Sequence, residues 1–224
     1  MRVRIVSFTQ PATCLVENGI KSLTDIVAFC ARVSNPSNQM NTQNTGRLIK
    51  YLANNKHWSP FEMVNVCLEI ETTRDIGRQI LRHRSMSFQE FSQRYANPLE
   101  DLKFELREAR LQDTKNRQNS IDIDDPQLQE EWNKKQQEVI DKATEAYTWA
   151  IEKGIAKEQA RCVLPEGNTV SRLYVNGTLR SWIHYCELRS ENGTQKEHAE
   201  IAKACAKIIA DVFPNILSQV KETN

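Results

Sequence analysis

The chain has 224 residues, 39% apolar and 26% charged, enough for one good core and a subdomain. Thirty basic against 29 acidic residues leave a formal charge of +1. That excludes a general nucleic-acid binder, which carries a large basic excess, but not a local basic site.

The first residues, MRVRIVSFTQPATCLVENG, show neither the apolar core nor the cleavage signal of a secretory leader. No apolar run reaches 18 residues, so no membrane span is expected. The six cysteines at 14, 30, 67, 162, 186 and 205 form no CxxC pair and show no zinc spacing. The expectation is a cytoplasmic protein with reduced thiols, most of them buried as small apolar groups, and no metal site.

In chain order, 2–8 alternates like a strand. Residues 22–34 have helical spacing, 35–46 is a polar loop, 47–55 a short helix, and Pro60 breaks the chain within 57–63. Residues 64–72 alternate as a strand, and 74–85 return to a helical period with Thr72 and Asp75 as a capping box. Residues 100–125 are charged and poor in large apolar groups. DIDDP at 122–126 turns into a long helix ended by Gly154. A helix at 157–163 stops before Pro165, NGT at 176–178 turns into a helix to 189, and 195–220 is a last amphipathic helix. The expected class is α+β: a small mixed or antiparallel sheet flanked by helices, in one domain over 1–224 with a helical segment near 100–155.

The stretch RHRSMSFQEFSQRY at 82–95 concentrates charge and hydroxyls. Upstream, Arg74, Arg78 and Arg82 follow i, i+4, i+8 on one helix face, with Gln79 beside them. Alone, such arginines read as a solvated basic face. With Gln89, Glu90, Ser92 and Arg94 following, the set reads as a nucleotide pocket. Guanidinium forks match phosphate, hydroxyls fill its other oxygens, and a carboxylate accepts from a sugar hydroxyl or ring N–H. With seven glycines and neither GxGxxG nor GxxxxGK[ST], side chains rather than a glycine loop must hold phosphate.

RHRxxSxxxxSxR, here Arg82-His83-Arg84, Ser87, Ser92 and Arg94, resembles the signature of the flavin-dependent thymidylate synthases. HWSPFE at 57–62, ARCVLP at 160–165 and NGTLRSWIHYCELR at 176–189 extend the resemblance over most of the chain, 100–155 excepted. It implies conversion of dUMP to dTMP, with 5,10-methylenetetrahydrofolate as carbon donor and NADPH-reduced FAD as hydride source. It also implies a homotetramer with active sites shared between subunits. Carried over, Gln79, Arg82, Glu90, Ser92, Arg94, Arg161 and Arg189 contact dUMP, and Arg189, facing the uracil, is catalytic. Ser59, Arg82, His83, Arg84, Glu90, Thr178, Arg180 and His184 contact FAD, and His57 lies near flavin and folate. Met63, Gln89, Phe91 and Thr178 depart from commoner family residues.

On a helical wheel, Trp182, Cys186 and Arg189 share one face of the 179–189 helix; Arg180, His184 and Glu187 share the other. Alone, Arg189 reads as a cation at a helix C-terminus and His184 as an ordinary surface or core histidine. Two rivals remain. A cysteine-dependent thymidylate synthase needs a thiolate to attack C6, and no Pro-Cys-His setting is present. A nucleic-acid module would need more aromatic interleaving than Phe88, Phe91 and Tyr95 supply.

Overall fold

A computed structural model describes residues 1–218. The chain begins with strand β1 (Arg2–Phe8), α1 (Thr13–Glu17) and α2 (Leu23–Ala31). α3 (Thr45–Asn54), a 3-10 turn (Ser59–Met63), β2 (Asn65–Thr73) and α4 (Arg74–Ile80) follow. Next come β3 (Ser87–Glu90), α5 (Pro98–Asp101), β4 (Arg110–Gln112) and β5 (Ser120–Asp122). The remainder is α6 (Pro126–Glu152), α7 (Lys157–Ala160), β6 (Val170–Thr178), α8 (Leu179–Arg189) and α9 (Lys196–Ala210). One sheet has strand order β1-β2-β6-β3, and β4 pairs antiparallel with β5 through Leu111 opposite Ile121. The fold is α+β. Among the described residues no helix is long and apolar enough to cross a membrane.

The chain divides into two compact units whose boundaries fall within β2 and β3, just after α4, and within β6. One unit holds Met1, 71–82 and 89–173. Its long helix α6 starts where the Asp125 side chain accepts from the Leu128 N–H at 3.0 Å, a cap on an otherwise orphaned donor. Gly154, at φ +74°, follows the C-cap in the left-handed region that glycine enters without steric cost. Tyr147 and Ala150 of α6 bury with Ala160 and Leu164. The buried amide of Gln136 accepts from the Arg107 N–H at 2.7 Å and donates to the Arg107 carbonyl at 3.0 Å. Gln129 accepts from the Ala109 N–H at 2.7 Å. Side-chain amides of α6 thus take the place of a strand partner for 107–109, as the backbone there must be satisfied somehow.

The other unit holds 2–70, 83–88 and 174 onward. Here α8 packs on α9 and on the 59–63 turn, α9 on β1, and α2 on α3. Val64, Val66, Leu68, Ile70, Trp182, Ile209 and Phe213 are fully buried. The buried Trp182 indole donates to the Val66 carbonyl at 2.9 Å, satisfying the one polar atom of that ring. Gly177 faces inward on β6; a Cβ there would lie 3.0 Å from Cγ of Met86.

Several expectations need correction. β3, β6 and the β4–β5 hairpin were not foreseen, nor was the short α1. Residues 176–178, read as a turn, end β6. The segment near 100–155 is continuously helical only from Pro126 onward; before it stand α5 and the hairpin. α4 ends at Ile80, so Arg82 lies beyond the helix and does not continue the Arg74–Arg78 face. The cap of α4 is Thr73 rather than Thr72: its hydroxyl donates to Asp75 at 2.6 Å, and no box closes. α9 ends at Ala210, because Pro214 cannot continue a helix. Residues 219 and 220 of that expected helix lie outside the described residues. Of the six free cysteines only Cys186 and Cys205 are buried; Cys14 and Cys162 are exposed.

Two histidines lie buried in the second unit. Burial, then the Arg189 and His184 charges, pulls His83 down to about 4. Burial, then Arg189 and His83, pulls His198 down to about 3. Both are neutral in the folded protein at pH 7, whereas in the unfolded chain they protonate near 6.5. Folded pKa values below unfolded ones mean stability that is full above pH 6.5 and lost as pH falls toward 4 for His83 and 3 for His198. Urea unfolding measured from pH 7 to pH 4.5 should show this acid-side loss, on the order of 1 kcal/mol per pH unit per histidine. His198→Met should make the slope shallower, and an unchanged slope would show that His198 does not carry it.

Candidate nucleotide and flavin site

In the first unit, α4, the end of β3 and the turn after it carry Arg74, Arg78, Glu90, Ser92 and Arg94. Arg74 sits 3.2 Å from Oε1 of Glu90, and the Ser171 hydroxyl donates to the same oxygen at 2.9 Å. Both contacts end on Oε1, so Oε2 remains to accept from a ligand. Arg78 Nε donates to Glu166 at 2.7 Å, and that bond is the main cause of the Glu166 carboxyl lying below its ordinary range. Arg94 pairs with Glu158 at 3.2 Å, an exposed contact of small worth, while the Ser92 hydroxyl accepts weakly from the Arg94 N–H. Gln79 is half-buried on α4, and its carbonyl accepts from the Arg82 N–H at 3.3 Å. Arg161 follows α7, three residues beyond Glu158. Among the described residues the guanidinium groups of Arg82 and Arg161 form no ion pair and no side-chain hydrogen bond.

In the second unit a cavity of about 510 Å³ is lined in part by Lys56, Trp58, Glu62, Ser85, Arg180 and His184. Arg180 bonds to Glu62. α8 presents Arg180, His184 and Glu187 to this cavity on its exposed face. Its opposite face buries Trp182 and Cys186. Thr178 caps α8, accepting from the Ser181 N–H at 3.2 Å, so its hydroxyl already serves the helix. Ser59 and His57 are exposed on either side of Trp58, and the His57 ring meets Tyr51 edge-on at 6.1 Å. Arg84 is exposed and, among the described residues, without a side-chain partner. His83, by contrast, is buried, and its Nε2 accepts from Arg189 Nε at 2.9 Å.

The donor set fits FAD. Lys56 and Arg180 offer cations for a pyrophosphate, His184 a ring N–H donor, Trp58 an aromatic face, and Ser85 a hydroxyl, at a volume usual for cofactor pockets. Thus Arg180 and His184 share one cavity, and His83 meets Arg189. Lys56 and the anchoring partners Glu158 and Glu166 escaped the sequence reading, while Trp58 and Glu62, inside HWSPFE, and Arg74, on the basic face, stood there without an assigned role. One signal for Lys56 exists only in three dimensions: it holds φ +57°, a conformation non-glycine residues rarely adopt. Burial drives the Cys186 thiol far up, which unfits it as a nucleophile.

The family model of the thymidylate synthase complementing proteins matches residues 15–215. A flavin-dependent thymidylate synthase of Synechocystis sp. is 48% identical over 221 residues, covering 99% of this chain and 100% of that protein. A probable flavin-dependent thymidylate synthase of Paramecium bursaria Chlorella virus 1 is 46% identical over 216 residues, 96% and 97% of the two chains. Among solved structures, the UMP/dUMP methylase PolB of Streptomyces cacaoi bound with 5-Br dUMP superposes with a TM-score of 0.78 at 24% identity, over 97% of this chain and 93% of that one. At that identity the likeness speaks for the fold alone. With near full-length relatives at this similarity, the chain belongs to the family of flavin-dependent thymidylate synthases.

Proposed function

We propose that this chain makes dTMP from dUMP as an FAD-dependent methyltransferase, with 5,10-methylenetetrahydrofolate giving the carbon and NADPH the reducing equivalents. The observation that carries the residue assignment is the partition of the arginines. Arg82, Arg84 and Arg161 keep free guanidinium forks among the described residues, and Arg94 is held only by an exposed pair with Glu158. Free forks are what a phosphate needs, and exchanging a weak surface pair for phosphate costs little.

In this reading Arg82, Arg94, Arg161 and Ser92 hold the nucleotide phosphate. Gln79 and Glu90 hold the base and sugar, with Oε2 of Glu90 accepting from N3–H or a ribose hydroxyl. Arg189 faces the uracil. Attaching a carbon at C5 requires electron density there, and the charge that develops on the pyrimidine oxygens is enolate-like. A guanidinium stabilises it and stays protonated at any working pH. Ser59, Arg82, His83, Arg84, Glu90, Thr178, Arg180 and His184 hold FAD, and His57 stands near flavin and folate. When bound, FAD supplies the hydride that completes the methyl group.

One family match runs through both units, which supports reading 1–224 as a single domain. The charged groups on opposite faces of α8 support a homotetramer whose sites are shared between subunits. Six free cysteines fit a reducing, cytoplasmic setting, without nucleic-acid or membrane partners.

Flavin absorbance tests the enzyme reading. Purified protein should be yellow and release FAD on denaturation; protein that stays colourless and silent on FAD titration would refute it. Arg94→Ala should weaken dUMP binding by about 2 kcal/mol, near thirtyfold in Kd, with bound flavin retained. Unaltered affinity in calorimetry would reduce Arg94 to surface charge. Arg94→Ala and Arg189→Ala tetramers should each be nearly inactive. Refolded together in equal amounts, they should regain roughly a quarter of the sites, since two contributing chains must each be the right parent. Mixed tetramers that stay inactive would put both arginines in one chain's site.

A further inference from the structure

Most arginines with an assigned partner here meet a carboxylate: Arg74 with Glu90, Arg78 with Glu166, Arg94 with Glu158, Arg107 with Asp75, Arg172 with Glu71 and Arg180 with Glu62. Arg189 does not. Among the described residues its one hydrogen-bonded side-chain partner is His83, whose Nε2 accepts from Arg189 Nε at 2.9 Å. A nitrogen that accepts carries no proton, so this imidazole is neutral, with its proton on Nδ1. The ring itself is held. His83 is buried and stands edge-on to the fully buried Tyr185 at 4.9 Å and to the fully buried His198 at 6.5 Å. Tyr185 and His198 meet each other at 5.7 Å.

A carboxylate would orient a guanidinium and cancel much of its field at the same time. An imidazole acceptor orients it and cancels nothing. We propose that His83 is a positioning residue for Arg189: it fixes the direction of the guanidinium and leaves its charge whole for the uracil. This rests on the reading that Arg189 faces the pyrimidine, and it adds a second duty to a histidine otherwise grouped with the flavin contacts. Neutrality at this position agrees with the depressed pKa of His83, for which burial is the first cause and the Arg189 charge the second. Arg189 thereby keeps four further N–H donors, on Nη1 and Nη2, clear of the histidine and directed by it.

The test uses the FAD-saturated holoenzyme, dUMP as probe, and three substitutions. His83→Gln places an amide acceptor near the same point; His83→Glu has the same length and adds a charge; His83→Met has neither acceptor nor charge. Calorimetry gives the dUMP Kd, absorbance the flavin content, and single turnover the rate. The glutamine variant should stay within about fivefold of the parent in rate. The glutamate variant should lose at least a hundredfold in rate with flavin still bound. The methionine variant should raise the dUMP Kd about tenfold at saturating FAD. In an Arg189→Ala background, His83→Met should add less than twofold, because the residue through which it acts is gone. Equal rates for glutamine and glutamate variants would overturn the proposal. So would a methionine variant that lowers only flavin affinity, or one that costs as much without Arg189 as with it. Should the glutamate variant fail to fold, the paired Met and Ala cycle decides alone. If Arg189→Ala by itself leaves dUMP binding and turnover intact, the placement of Arg189 at the uracil is what has failed, and the role of His83 falls with it.

Discussion

A guanidinium cannot shed its proton in water, so a protein that gathers arginines must decide which of them to neutralise. That decision organises this molecule. The net charge is only +1, yet positive charge is concentrated between residues 74 and 94. Acidic partners distant in sequence take up part of it: Glu166 holds Arg78 and Glu158 holds Arg94, while Glu90 holds Arg74. Among the arginines without a carboxylate partner in the described residues are Arg82, Arg84, Arg161 and Arg189. Each of these belongs to the signature segments shared with the flavin-dependent thymidylate synthases.

The scaffold explains why the partition is stable. Glu90 is fixed from two sides, by Arg74 and by the inward Ser171 of β6, so it does not wander onto a neighbouring guanidinium. Arg107 is drawn to Asp75 at 2.7 Å, and Gln136 of α6 clamps its backbone. Partly buried pairs of this kind gain from a lower effective dielectric, provided every lone pair finds a donor. The exposed pairs, Arg94 with Glu158 above all, are cheap to break. Arg74 and Arg107 thus carry partly buried partners, whereas Arg94 and Arg180, proposed to face ligands, carry exposed ones.

Much of this was legible in the sequence, and unevenly so. β1, β2, α2, α6 and the end of α6 at Gly154 follow from periodicity and capping residues. The RHRxxSxxxxSxR signature and the two faces of α8 supplied the side chains on which the proposed site rests. β6 was missed for a physical reason. Its inward residues are Ser171, Leu173, Val175 and Gly177, two of them neither large nor apolar, while Tyr174 faces out. An alternation built on hydrophobicity cannot register a strand whose buried side is filled by a hydroxyl and a bare backbone. The β4–β5 hairpin escaped likewise, since its six residues are almost all exposed. Pairing partners such as Glu158 and Glu166 are invisible in one dimension, because they lie about 60 to 90 residues from the arginines they hold. Nor could spacing foretell that His83 turns inward to meet Arg189, because burial of that ring is decided by Tyr185 and His198.

The absent side chain at Gly177 has an effect that reaches genetics. Its neighbour there, Met86, belongs to the short segment that also carries His83 and Arg84, and Met86 is nearly buried. A methionine is pliable enough to yield a few tenths of an ångström to a new methyl group, at a modest energetic penalty. An alanine allele at 177 would therefore be conditional rather than lethal. Cells depending on it would grow without thymidine in the cold and require it in the heat, and suppressors restoring growth would be expected to map to codon 86, where a shorter side chain reopens the space.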